Sequence, residues 1–253
     1  MAKYDSYVIC TSPRSGSTLL CKLLAATGVS GNPASYFYDP SVEDWLADLN
    51  VEVDPNETES EILKLAFRAV VREGCKDTGM FGLRQQAHGL AFLCEKLAVL
   101  YPREASCTDR FQQAFGTTLF IHLTRADKIA QGVSYLKAKQ TGLWHVAPDG
   151  SELERNAPHR EPSYDGKTLQ VCIEMMIAFD CNWNEWFLHE GIEPLRISYD
   201  ELAADPVGML RNVLGHLGLE RAAADGIVPG VRKLADTTSM RWAARFRADH
   251  GLS

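Results

Sequence analysis

No apolar run in this chain approaches the ~18 residues that a membrane-crossing helix requires, so helical membrane spans are excluded. Basic residues are the minority: 26 Lys and Arg stand against 33 Asp and Glu, for a formal net charge of −7. That balance opposes a nucleic-acid partner, whose phosphates demand a basic domain or face. Any anion site must be a local basic pocket in an acidic protein. The seven cysteines (Cys10, Cys21, Cys75, Cys94, Cys107, Cys172, Cys181) are odd in number and contain no C-x-x-C pair. Buried free thiols in a reducing compartment are therefore expected, rather than disulfides or zinc. No apolar leader segment precedes the first strand, and the expected location is the cytoplasm. There is no internal repeat, and with 45% hydrophobic and 23% charged residues the composition is that of a globular protein. The expectation is one domain spanning residues 1–253.

What is present is concentrated first in Tyr7 to Gly28. Tyr7, Val8, Ile9 and Cys10 read as a buried strand, and Leu19, Leu20, Leu23 and Leu24 recur at helical spacing up to Gly28. Between them, Thr11-Ser12-Pro13-Arg14-Ser15-Gly16-Ser17-Thr18 forms a strand-to-helix turn. Small residues let backbone N–H groups approach a ligand, hydroxyls add donors, and the following helix contributes the positive end of its dipole. The turn is an anion cradle. A nucleoside-triphosphate P-loop would place Lys after its second Gly, but Ser17 follows Gly16 and the basic group sits earlier, at Arg14. A kinase is disfavoured, and an ester or anhydride of another oxyanion becomes attractive.

Further along, Pro33 to Pro40 is turn-rich and aromatic, and Ser35 and Asp39 are read as facing substrate. Ser41 starts a helix, a second helical stripe runs from Ile62 to Gly74, and Met80–Arg84 reads as a second strand that delivers Arg84 near its carboxyl end. A helix over Ala87–Tyr101 stops at Pro102. Thr118–Arg125 is nearly continuous and apolar, as central parallel strands are, and ends in Arg125. An arginine leaving such a strand points into the crevice where open α/β sheets bind ligands. Residues 141–165 show little periodicity over a length that suggests a lid, a substrate loop or a disordered excursion. A long helix over Lys167–Glu190, a short strand at Pro194–Ser198 and a helix through Leu217 follow. Arg241, Arg245 and Arg247 supply late positive charge. Strands alternating with helices predict an α/β protein with a mainly parallel central sheet and helical elaborations around residues 40–78 and 141–190.

The segment Thr11 to Leu20 closely resembles the 5′-phosphosulfate loop of sulfotransferases that use 3′-phosphoadenosine 5′-phosphosulfate (PAPS). Arg125 with Ser134 is similar to that superfamily's 3′-phosphate pair. Taken with Gln131, Gln140-Thr141-Gly142-Leu143-Trp144 and the Ser239–Phe246 end, the chain resembles the bacterial carbohydrate sulfotransferases that modify trehalose, with lipopolysaccharide sulfotransferases as near relatives. The similarity runs nearly end to end. It implies a P-loop-type three-layer fold, sulfuryl transfer from PAPS to a hydroxyl of a carbohydrate or glycolipid, no metal, and a homodimer.

The resemblance also implies roles. Ser15, Gly16, Ser17 and Thr18 would cradle the 5′-phosphate, and Arg14 would stabilise charge growing on it as the S–O bond breaks. Arg84, standing where the family has a lysine after its second strand, would steady the sulfonate. Arg125 and Ser134 would select the 3′-phosphate. One position departs from the pattern: the trehalose-type enzymes carry Glu in a P-x-E-[FY]-F segment, and here Ser35 occupies it. A serine does not accept the acceptor's proton unaided. Asp39 is the candidate carried forward, with Glu43 and Tyr38 as alternatives. The competing functions are a P-loop kinase, which would need Mg²⁺ and ATP, and a non-catalytic protein that binds PAPS or adenosine 3′,5′-bisphosphate.

Overall fold

The computed structural model describes residues 2–230 and 236–252. β1 (Ser6–Thr11) leads into α1 (Ser17–Ala26), and α2 (Val42–Asp48) and α3 (Glu59–Cys75) separate it from β2 (Phe81–Gln86). α4 (Ala87–Leu100) and α5 (Cys107–Phe115) precede β3 (Thr118–Thr124). Then come α6 (Lys128–Thr141), the strands β4 (Leu143–Val146) and β5 (Glu152–Arg155), and α7 (Gly166–His189), which leads to β6 (Leu195–Ser198). α8 (Tyr199–Ala204), α9 (Pro206–Leu217) and α10 (Thr237–Asp249) complete the helices.

The central sheet has the order β2-β1-β3-β6, with every pairing parallel. The chain leaves β1 to form a neighbour on one side and then crosses to form one on the other. The crevice at the carboxyl end of β1 is therefore a topological switch point, where open α/β sheets place ligands. Alternation along β1 divides the core into two layers. Tyr7 and Ile9 pack with Leu20 and Leu24 of α1 and Leu210 and Leu214 of α9. Val8 and Cys10 face the other way, onto Leu63 and Phe67 of α3, Leu93 and Leu97 of α4, Phe111 of α5 and Trp183 and Phe187 of α7. Helices thus cover both faces of the sheet, the three-layer P-loop-type arrangement expected. A third cluster joins Val133 and Leu136 of α6, Leu169 and Ile173 of α7, and Trp242 and Phe246 of α10. Among the described residues no helix is long and apolar enough to cross a membrane.

Three expectations need correction. The span 141–165 is not without structure: β4 and β5 pair antiparallel, and Asp149-Gly150 turns the chain between them. Gly150 has φ 90°, and the Asp149 carboxylate accepts from Ser151 N and Oγ at 2.9 and 2.7 Å, so an Asp-Gly turn closes the hairpin. Helix α5 fills a stretch for which no element was anticipated, capped by Ser106, whose hydroxyl accepts from Asp109 N at 3.0 Å. The cysteines are not all thiols either. Cys94 on α4 and Cys107 at the start of α5 form a disulfide, with Cα atoms 5.9 Å apart, because α5 packs on α4 and brings the two side chains together. The other five cysteines remain free.

Candidate functional site

The turn from β1 to α1 is held in an unusual backbone shape. Arg14 has φ 64° and Gly16 has φ 88°, both in the left-handed region that an L-residue enters at a cost. Gly16 is also the N-cap of α1, and no side chain caps that helix. The first-turn N–H groups are left for another partner, in the geometry that binds anions.

The turn is pinned from beneath. Trp183 Nε1 donates to Thr11 O at 2.9 Å. Buried Gln131 donates through Nε2 to Pro13 O at 2.7 Å and to Ser12 Oγ at 3.0 Å. Ser12 Oγ donates in turn to Asp180 Oδ1 at 3.0 Å, and Asp180 pairs with Lys128 at 2.5 Å. α6 and α7 therefore fix the turn through a connected polar network.

Above the turn lies a cavity of about 1230 Å³. Of the residues singled out in the sequence, Arg14, Gly16, Ser17, Thr18, Asp39, Arg84, Arg125 and Ser134 all line it. Ser15 does not: it is fully buried and its hydroxyl bonds Thr11 Oγ1, which leaves its backbone as the part available to a ligand. Arg14 Nε donates to Ser134 Oγ at 3.0 Å and its Nη1 to Trp144 O at 2.6 Å. Arg84 Nε donates to Ser35 Oγ at 2.7 Å and its Nη1 to Thr18 Oγ1 at 2.8 Å. Buried Arg125 lies over the Tyr199 ring, 4.6 Å from its centroid, and its Nη1 reaches Arg14 O at 3.4 Å. Among the described residues, none of these three arginines has a carboxylate within ion-pair distance.

Such an arrangement carries an electrostatic cost. Burial, followed by the nearby Arg125 charge, lowers the Arg14 pKa to about 10. Burial lowers that of Arg125 as well. Both stay protonated near neutrality, so the cavity gathers arginine charge that acidic residues of its lining, Glu154, Asp127 and Asp200 among them, offset from a distance but do not pair. A polyanionic ligand removes that penalty.

Asp39 stands exposed at the cavity rim, and among the described residues its carboxylate accepts no hydrogen bond from the arginine cluster. Its neighbour Phe37 is core, packed edge-on against Trp45 at 4.7 Å. His88, exposed, bonds Tyr38 O at 3.2 Å. Arg247 reaches the cavity from α10 and pairs with Asp127 at 3.0 Å.

Several cavity residues were given no individual role from the sequence. Gln86, at the end of β2, is buried, and among the described residues neither its Oε1 nor the buried Trp144 Nε1 has a hydrogen-bond partner. Both residues line the cavity, although these two atoms are themselves closed off from solvent. His145 of β4 lies with Nε2 3.0 Å from Thr18 Oγ1 and 3.5 Å from Glu154 Oε2. The sequence signal that could have found His145 and Glu154 is the Asp149-Gly150 hairpin turn that sets them side by side.

The family model of the Stf0 sulphotransferases matches residues 6–249. Trehalose 2-sulfotransferase of Mycolicibacterium smegmatis is 27% identical over 264 residues, covering 96% of this chain and 95% of that protein. The trehalose 2-sulfotransferase of Mycobacterium tuberculosis is 28% identical over 263 residues, covering 96% and 94%. Among solved structures, a sulfotransferase from Alicyclobacillus acidocaldarius aligns over 100% of this chain and 98% of its own, with a TM-score of 0.44 and 12% identity. The sulfotransferase domain of the Synechococcus PCC 7002 olefin synthase aligns over 96% and 86%, with a TM-score of 0.43 and 16% identity.

Proposed function

The chain belongs to the Stf0 sulphotransferase family, and from that premise we propose that it transfers a sulfuryl group from PAPS to a hydroxyl of a carbohydrate or glycolipid. The observation that carries the reading is the convergence of Arg14, Arg84 and Arg125, without carboxylate partners among the described residues, on the uncapped N-terminus of α1. A donor with anionic groups at both ends of a nucleoside fits that charge distribution. Its sulfuryl group is the one transferred, in a displacement that resembles phosphoryl transfer in its reliance on positioning and electrostatics.

In this reading the backbone of Ser15 to Thr18 and the hydroxyls of Ser17 and Thr18 receive the 5′-phosphate. Arg14 sits beside them, buried enough for its charge to act strongly and fixed by Ser134 and the Trp144 carbonyl. Charge that develops on the leaving phosphate oxygen is met by a guanidinium already in place, with no reorganisation at the moment of reaction. Arg84, oriented by Ser35 and Thr18, steadies the sulfonate. Arg125 is held by the Tyr199 ring and, with Ser134, selects a 3′-phosphate. Asp39 at the rim meets hydroxyls of the acceptor, a chemistry that suits a sugar. The trehalose 2-sulfotransferases among the relatives point to the same acceptor class. No metal is required, because arginines supply the positive charge.

We place the protein in the cytoplasm as one catalytic domain of residues 1–253. We also propose a homodimer. Ile177 and Leu188, exposed about three turns apart on α7, are apolar surface that a second copy would cover. The test of function is a screen of PAPS against trehalose, other sugars and glycolipids, read by mass. A sulfated product supports the reading; Mg²⁺-dependent phosphorylation by ATP would replace it with a kinase.

A further inference from the structure

The proposed reaction needs a group to take the proton of the attacking hydroxyl, and the hairpin over the cavity brings one to it. We propose that the His145 imidazole accepts that proton through Nε2 and that Glu154 holds the resulting imidazolium. The inference rests on the sulfuryl-transfer reading above.

Geometry is the first argument. β4 and β5 pair His145 directly with Glu154, so the two side chains enter the cavity together. Nε2 is 3.0 Å from Thr18 Oγ1, and the same hydroxyl accepts from Arg84 Nη1 at 2.8 Å. His145 thus touches the first turn of α1, beside the arginine assigned to the sulfonate. With Thr18 accepting from Arg84, the Thr18 proton is free to point at Nε2, and in the Nδ1–H tautomer that nitrogen is the acceptor of this contact. An acceptor hydroxyl that takes the place of the Thr18 contact would meet a lone pair, with Glu154 Oε2 only 3.5 Å from the nitrogen that gains the proton.

Electrostatics is the second. The groups facing the imidazole are Arg14 from the turn, Lys22 from α1, Arg84 from β2 and Glu154 from β5. Burial first, and then Arg14, Arg84 and Lys22, push the His145 pKa down to about 3. The ring is therefore neutral before the donor arrives. An anionic donor offsets the arginine charges and raises the basicity of the ring while it is bound.

The other cavity groups are less well placed. Asp39 is exposed at the rim, Asp236 pairs with Lys137 at 2.6 Å, and Asp127 caps α6 and pairs with Arg247. The Ser35 hydroxyl is engaged by Arg84.

The step balances without a further reactant. The acceptor oxygen forms its bond to sulfur as the S–O bond to the 5′-phosphate breaks. The bonding pair stays on the phosphate, and the acceptor proton passes to Nε2 and later to water.

Two measurements test it. In wild-type protein with ¹⁵N-labelled histidine, the His145 resonance is identified by its loss in His145→Gln and titrated with and without adenosine 3′,5′-bisphosphate. Its pKa should rise by about one unit or more with the nucleotide, and an unmoved pKa overturns the inference. In the sugar-sulfation assay, His145→Gln should lower kcat by ~10²-fold and remove the acidic limb of the pH profile. Its affinity for adenosine 3′,5′-bisphosphate should stay within about threefold of wild type, and added imidazole should partly restore His145→Ala. Turnover within about twofold of wild type, or lost nucleotide binding with kcat intact, overturns the role. Wild-type protein that binds AMP as tightly as adenosine 3′,5′-bisphosphate would instead sink the PAPS reading, and the inference with it.

Discussion

Gly16→Ala probes the anion cradle at its tightest point. The residue has φ 88°, and a Cβ built on it would fall 2.6 Å from Tyr199 Cδ2 and 3.2 Å from Cε2. An L-residue in the left-handed region costs about 1–2 kcal/mol, and turning the Tyr199 ring off its rotamer adds about 0.5–1.5 kcal/mol. The expected loss of stability is about 2–3 kcal/mol, read as a lower urea midpoint at unchanged slope. The displaced ring is the one that carries Arg125 at 4.6 Å, so affinity for adenosine 3′,5′-bisphosphate should fall by at least ~10-fold, the worth of one charge-assisted hydrogen bond. Gly28→Ala is the control. Gly28 also has a positive φ, 67°, but nothing lies within 4 Å of its Cβ position. It should lose only the backbone contribution and keep its nucleotide affinity. A Gly16→Ala protein as stable as Gly28→Ala, with binding intact, would refute the close-approach argument.

Other expectations follow from the same site. Arg14→Ala should lower kcat by ~10²–10³-fold while adenosine 3′,5′-bisphosphate affinity drops by less than ~10-fold; equal losses in both would make Arg14 a simple ligand. Asp39→Asn should raise the acceptor KM several-fold with kcat within about threefold, and a ~10²-fold fall in kcat would restore it as the base in place of His145. Acid should destabilise the fold through His122, whose pKa burial lowers from 6.5 to about 4. The unfolded chain protonates first, so this contribution is complete above pH 6.5 and lost as pH falls toward 4, on the order of 3 kcal/mol in all. Urea midpoints at pH 7 and pH 4.5 read this loss together with that of His145, whose pKa is lowered likewise, so His122→Gln should shrink the difference without abolishing it.

Where the chain's own pattern decides the structure, the sequence was legible. Tyr7–Cys10 and Leu119–Leu123 are buried on both faces and read as nearly continuous apolar runs, so the central strands and the arginine leaving β3 could be placed. The turn at Arg14 and Gly16 was legible as a strand-to-helix junction, because small residues and a single glycine separate an apolar strand from a helical stripe. Nothing in the turn shows that the Ser15 hydroxyl folds back on Thr11. Gln131 owes its position under Pro13, and His145 its position beside Thr18, to packing between elements far apart in sequence. The Cys94–Cys107 bond likewise arises from α5 lying on α4, while their spacing alone suggests nothing. Asp149-Gly150 was the one local signal passed over, and it would have exposed the hairpin that carries His145 and Glu154.

The central claim is that this cavity grips a nucleotide at its 5′ and 3′ ends, and calorimetry tests it most directly. Adenosine 3′,5′-bisphosphate should bind wild-type protein at least ~10-fold more tightly than AMP, and Arg125→Ala should bring the two within about threefold of each other. Equal affinities in the wild type, or a preference that survives the loss of Arg125, would contradict the account.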